Sequence, residues 1–276
     1  MVFDMRVRPA ELLGELPKDL QGFAMYGLEE RGRPYQEEGR RKWLEAMDEV
    51  GISHAMLIAP PWYDKSKANE IISSITREHP GRFIGSISLD IYDGKVALEE
   101  LERCVRELGL RCLLLRPYQD RVHANDRRYY PFYAKCVELE IPVSIVVGVN
   151  FSSEPVLDFG RPLYLDDVAC DFPELKIIAT HGGWPWVTEA VAVSWKNDNV
   201  FIDISGIAPR YIGMSGTGWD PLIQYGNTLL QDKILWGTDW PLLDWKDSLS
   251  QCRELPLKEE AKEKWLFKNA EALFQV

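Results

Sequence analysis

A chain of 276 residues, 46% hydrophobic and 27% charged, carries enough apolar material for a large core and has an ordinary globular composition. A net charge of −11 and a pI near 5.0 exclude a general electrostatic attraction to nucleic acid or to anionic membrane surfaces. No stretch approaches the roughly 18 consecutive apolar residues of a membrane span, and no basic segment followed by an apolar run opens the chain, so the expected location is the cytoplasm.

Short apolar runs alternate with amphipathic segments along the whole length. The runs predict strands over residues 2–7, 54–58, 82–88, 112–115, 143–147, 176–180, 200–204 and 234–236. Between them, the spacing of apolar residues predicts helices over 97–108, 128–140 and 256–274, among others. Eight strand-then-helix units over about 250 residues have the rhythm of a (β/α)8 TIM barrel. A doubly wound sheet competes less well, because no GxGxxG follows the first strand. No linker or break in composition divides the chain, so residues 1–276 are expected to form one domain. Two longer loops, 9–35 and 205–220, are expected over the C-terminal mouth. The five cysteines, at 104, 112, 136, 170 and 252, lack any CxxC spacing and lie in apolar or amphipathic runs, which predicts buried, reduced thiols.

In a barrel, chemistry gathers where strands end. Strand one ends in Arg6 and Arg8, two residues apart and therefore on one face. Two like charges this close require a compensating acid or an anionic ligand. Strand four ends in Arg116, Pro117 and Tyr118; strand six in His181 within THGGWPW, with Trp184 beside it; strand eight in GTDWP, with Asp239. Asp203 and Ser205 follow strand seven. This set predicts a pocket for an anionic, flat organic molecule. Each residue also has a structural reading: Asp239 and His181 as helix caps, and the three arginines in structural ion pairs. His54 belongs at the opposite end of the barrel, and His79 and His123 are expected at the surface.

The segments GRPLYLDDVACDFPELKIIATHGGWPWV and KILWGTDWPL, with the start DMRVRP at Asp4–Pro9 in the place of a D-x-H-x-H-x-P-like opening, resemble the amidohydrolase superfamily. The branch is the one containing aminocarboxymuconate-semialdehyde decarboxylase, resorcylate-type decarboxylases and pyrone dicarboxylate lactonase. The resemblance covers essentially the whole chain and implies a (β/α)8 barrel whose mouth holds a metal, commonly zinc. It also implies that the two histidines of HxH are metal ligands. Here those positions are Arg6 and Arg8, and the strand-five histidine is replaced at or near Val146, so three of four expected ligands are missing. Asp239 and His181 remain. A guanidinium has N–H donors, no lone pair and a permanent charge, so it cannot ligate a cation.

The expectation is therefore an enzyme without a metal or other cofactor, hydrolysing or decarboxylating a small carboxylated substrate, aromatic-derived or a lactone. Arg6, Arg8, Arg116, Tyr118 and Trp184 would bind the substrate. Asp239 would be the general base and His181 the partner acid or oxyanion donor. The alternative is a non-catalytic relative that binds a carboxylate metabolite. Ten tryptophans and eleven tyrosines exceed what one core needs and point to an aromatic pocket or a homodimer interface.

Overall fold

The computed structural model describes residues 1–13, 28–149 and 155–276. Eight parallel strands stand in sequence order: β1 Phe3–Val7, β2 His54–Leu57, β3 Phe83–Ile87, β4 Cys112–Leu115, β5 Val143–Val146, β6 Ile177–Thr180, β7 Val200–Asp203 and β8 Ile234–Leu235. β8 returns to β1 through Met5 N–H donating to Trp236 O at 3.1 Å, Trp240 N–H to Arg6 O at 3.0 Å and Arg8 N–H to Trp240 O at 3.1 Å. The (β/α)8 barrel predicted by the sequence is thus the observed fold, and all eight predicted strands are present. Of the expected loop 9–35, residues 14–27 lie outside the described residues, and residues 28–35 are not loop but the start of the first helix, Leu28–Val50.

Helices cover the strands: α1 Leu28–Val50, α2 Lys65–Glu78, α3 Lys95–Arg106, α4 Pro117–Asp120, α5 Tyr130–Glu138, α6 Tyr164–Asp171, α7 Val187–Lys196, α8 Pro209–Ile212, α9 Asp220–Gly226, α10 Trp245–Arg253, α11 Glu259–Glu263 and α12 Asn269–Phe274. α1 is two helical pieces joined at Gly39, whose φ of 80° no regular helix contains. In α3 the stripe Ala97, Leu101 and Cys104 is buried, and the outer face carries pairs such as Lys95–Glu99 and Arg106–Glu102. The predicted 256–274 helix is one run interrupted by a π turn at Lys264–Lys268. Its Phe267, Ala270, Leu273 and Phe274 plug the N-terminal end of the barrel, where Phe274 stacks on Phe3 at 5.7 Å and Phe3 on His54 at 6.0 Å. His54 is structural, as expected. One expectation needs correcting: Cys104, Cys112, Cys136 and Cys252 are buried thiols, but Cys170 is exposed, because it lies on the outer side of α6.

Strand alternation divides the apolar residues into two layers. Met56, Ile84, Cys112, Leu114, Ile178 and Leu235 face the interior, whereas Leu57, Ile87, Leu113, Leu115, Ile177 and Ile234 face the helices. β1 departs from the alternation. Its pairing with β2 advances three residues from Asp4 to Val7 while β2 advances two, from Ala55 to Leu57. This bulge sends Phe3 and Met5 to the interior but Val7 to the helix side. Arg6 and Arg8 consequently reach the mouth.

Asp4 locks the closure. Its carboxylate accepts from Thr238 Oγ1 (2.5 Å), Thr238 N–H (2.9 Å), Trp245 Nε1 (3.0 Å) and Arg6 N–H (3.1 Å). Asp4→Ala strands several buried donors at about 1–3 kcal/mol each. We expect a loss of stability of at least about 3 kcal/mol, read as a fall in urea midpoint with an unchanged slope.

Candidate active site

Asp239 follows β8, and two arginines hold it. Arg6 Nε donates to Oδ1 at 3.0 Å and Arg8 Nη2 to Oδ2 at 3.1 Å, while Arg8 Nη1 binds the Asp239 carbonyl at 2.7 Å. All three side chains are at least nine-tenths buried. Two donors in this cluster, Arg6 Nη1 and Arg8 Nε, are buried with no partner. Arg116, after β4, is also buried, and its Nη2 donates to Ala59 O at 2.5 Å. Burial, and then Arg6 and Arg8, pull its pKa down to about 10, so it stays charged at neutral pH. Tyr118 lies within the field of Arg116, Arg6, Arg8 and Asp239, and burial raises its pKa.

The acids are sorted by whether a guanidinium pairs with them. Burial alone would raise Asp239, but Arg8 and Arg6 outweigh it and hold its carboxyl well below the usual range. Asp203 ends β7, fully buried, and accepts Ser205 N–H on Oδ1 at 2.7 Å and Ser205 Oγ on Oδ2 at 2.8 Å. Burial pushes it up to about 7, against the lowering influence of Arg6. His181 Nδ1 lies 2.6 Å from Ser205 O. A carbonyl only accepts, so the proton sits on Nδ1 and Nε2 carries the lone pair. Burial, then Arg6, lowers the His181 pKa to about 4, leaving the ring neutral at pH 7. His181 and Asp239 both adopt left-handed backbone, with φ of 72° and 55°. Such strain costs of order 1–3 kcal/mol per residue and clusters at functional sites.

Of the residues singled out from the sequence, the structure brings together Arg6, Arg8, Arg116, Tyr118, His181 and Asp239. Trp184 stands on the rim, 40% exposed, and its Nε1 donates to Thr217 O at 3.2 Å. His123 is bound away from the cluster by Asp158 at 2.8 Å. Asp203 and Ser205, placed by the sequence after strand seven but expected to have no specific role, lie beside His181 together with Gly206, which the sequence did not mark. Both Asp239 oxygens are loaded with guanidinium donors, and neutral His181 offers an acceptor, not a donor, at Nε2.

The donor set does not suit a divalent cation. Fixed guanidinium charges occupy the end of β1 and claim both Asp239 oxygens. β5 ends in apolar Val146, which packs in the interior cluster. Among the described residues, no three His, Cys, Asp or Glu side chains are grouped so as to hold a metal ion.

Residues 65–276 match the family model described as amidohydrolase. The chain belongs to the amidohydrolase family. Among its relatives, the 2-keto-4-carboxy-3-hexenedioate hydratase of Sphingobium is 33% identical over 146 residues, 46% of this chain, and the match spans only 42% of the hydratase. A gamma-resorcylate decarboxylase of Polaromonas is 24% identical over 255 residues, 76% of each protein. The crystal structure of a dihydroxybenzoic acid decarboxylase from Polaromonas, with bound manganese and 2-nitroresorcinol, has the same fold, with a TM-score of 0.74, 20% identity and coverage of 99% and 96%. This amidohydrolase-family barrel is therefore related to decarboxylases of carboxylated aromatics and falls among enzymes of the hydrolase and lyase type. Among the described residues, no helix is long and apolar enough to cross a membrane.

Two outcomes test the electrostatics. Asp239→Asn removes the counter-charge of two buried guanidiniums and is expected to cost about 3–5 kcal/mol of unfolding free energy. For Asp203 the raised pKa means that the native state binds more protons than the unfolded state between about pH 4 and pH 7, so stability falls as pH rises through that window. Asp203→Asn cannot titrate, and its stability relative to the parent is expected to increase from pH 4 to pH 7 in denaturant titrations. A constant difference would contradict the burial of the charge.

Proposed function

We propose that this barrel is a metal-independent enzyme acting on a small carboxylated molecule, aromatic-derived or a lactone, and that its reaction is hydrolysis of an ester or lactone bond. The observation that carries the proposal is the pair of buried, unpartnered donors, Arg6 Nη1 and Arg8 Nε, beside a third guanidinium. Three cations against one firmly ionised carboxylate leave a positive surplus that a substrate anion would neutralise. Arg116 and Arg8 bind the substrate carboxylate, with Tyr118 and Trp184 flanking it. Arg6 Nη1 faces the carbonyl oxygen of the scissile bond.

His181 Nε2 is the stronger of the two bases, because Asp239 is held by both arginines. It takes a proton from water as the water oxygen bonds to the carbonyl carbon. The resulting oxyanion is stabilised by Arg6. Collapse of the intermediate breaks the C–O bond, and the leaving oxygen takes the proton from the His181 imidazolium. Asp239 orients the two arginines and offsets part of their charge.

The likeness to the Polaromonas decarboxylase supports a second reading, loss of carbon dioxide with protonation of the ring carbon. That reaction needs a proton donor, which the neutral His181 is not. The two readings therefore differ in the sign of their pH dependence. Hydrolysis falls as pH drops through about 4, where His181 gains its proton, whereas decarboxylation through an imidazolium rises there. The experiment is elemental analysis of protein purified without chelator, followed by a carboxylate and lactone panel assayed after dialysis against EDTA. We expect less than about a tenth of an equivalent of metal, undiminished turnover, and a loss of about 10²–10⁴ in kcat for His181→Gln. Turnover that appears only on adding a divalent ion would overturn metal independence. Thermal stabilisation by carboxylates with no turnover would favour a binding protein.

A further inference from the structure

Asp203 has no place in the chemistry above, yet it is a fully buried acid beside the reacting groups. Its two oxygens are both spent on one residue, the Ser205 N–H at 2.7 Å and the Ser205 hydroxyl at 2.8 Å. Ser205 in turn presents its carbonyl to His181 Nδ1 at 2.6 Å, and its hydroxyl lies 3.5 Å from the same nitrogen. The next residue, Gly206, has φ of +78°, and a Cβ there would lie 3.0 Å from His181 Nδ1 and 3.6 Å from Asp239 Cβ. The Ser205–Gly206 peptide is therefore packed against the imidazole with no room for a side chain. The geometry points to Asp203 as a positioning residue, which fixes the Ser205 peptide so that its carbonyl holds the His181 proton on Nδ1 and leaves Nε2 as an acceptor. The tautomer of a histidine is set by the bond its other nitrogen makes, and here that bond depends on a turn that the Asp203 carboxyl ties down. The importance of the tautomer for turnover rests on the reading of His181 as the proton acceptor; the positioning itself does not.

The test reads the tautomer directly, without substrate. The chain has four histidines, so ¹⁵N-labelled imidazoles are resolved by NMR, and His181→Gln assigns the resonance. The parent protein is expected to show the Nδ1–H form. Asp203→Ala, which frees the Ser205 peptide, is expected to populate the Nε2–H form. Asp203→Asn is expected to restore the Nδ1–H signature, because an amide oxygen still accepts the Ser205 N–H while its NH₂ meets the hydroxyl. If Asp203→Ala does not fold, Ser205→Ala carries the test, since it cuts one of the two ties and is expected to reveal a minor Nε2–H population. An unchanged tautomer in the alanine variant would overturn the assignment, as would an asparagine variant that matches alanine. Full turnover in His181→Gln would sink the acceptor role and leave this result standing.

Discussion

Two guanidiniums and one carboxylate, buried together, set the terms for the rest of this molecule. Charges out of water persist only when paired and hydrogen-bonded. Asp239 meets that requirement for Arg6 and Arg8 in part, leaving one donor of each without a partner. The arrangement demands that the end of β1 and the loop after β8 be held in register. The bulge in β1, the Asp4 clamp on Thr238 and the left-handed backbone at Asp239 all serve that juxtaposition. A protein carrying a net charge of −11 thus concentrates fixed positive charge at its barrel mouth.

That cluster also separates groups of similar intrinsic acidity. Asp239 touches the guanidiniums and is held ionised. Asp203, bound to Ser205 and acted on by Arg6 without an ion pair, is pushed up to about 7 by burial. Asp4, turned toward Thr238 and Trp245, is pushed up to about 6 by burial. His181 is kept neutral by burial and by the charge of Arg6. Environments that drive ionisable groups apart in this way are how one fold assigns distinct proton-handling roles. Here they leave an acceptor at His181 and an acid near neutrality at Asp203.

Membership of the amidohydrolase family supplies the scaffold, and the residues at the strand ends set the local chemistry at the mouth. Three arginines there favour recognition of anions over ligation of cations. In the proposed reaction they take the electrostatic part, stabilising charge that develops on oxygen, and His181 moves the proton. Their rigidity comes from β1 and β4, where strand ends position side chains better than loops do.

The sequence by itself determined the barrel and most of its cast. Period-two alternation and helical stripes are local properties, so all eight strands and the amphipathic helices such as α3 were legible from residue types alone. THGG after β6 and GTDWP after β8 marked His181 and Asp239, and Arg6-x-Arg8 announced a shared face and a missing counter-charge. Which face that was depended on the bulge, because strict alternation from Phe3 and Met5 would have sent Arg6 and Arg8 to the helix side. Asp239 was legible as a candidate counter-charge, but only the tertiary structure brought it, 233 residues away along the chain, within hydrogen-bond distance of Arg6. It decided equally that Ser205 O meets His181 Nδ1 and that both Asp203 oxygens are bound by Ser205. The reason is physical: pairing, burial and proton position depend on distances between strand ends, and those distances exist only once the eight strands have closed.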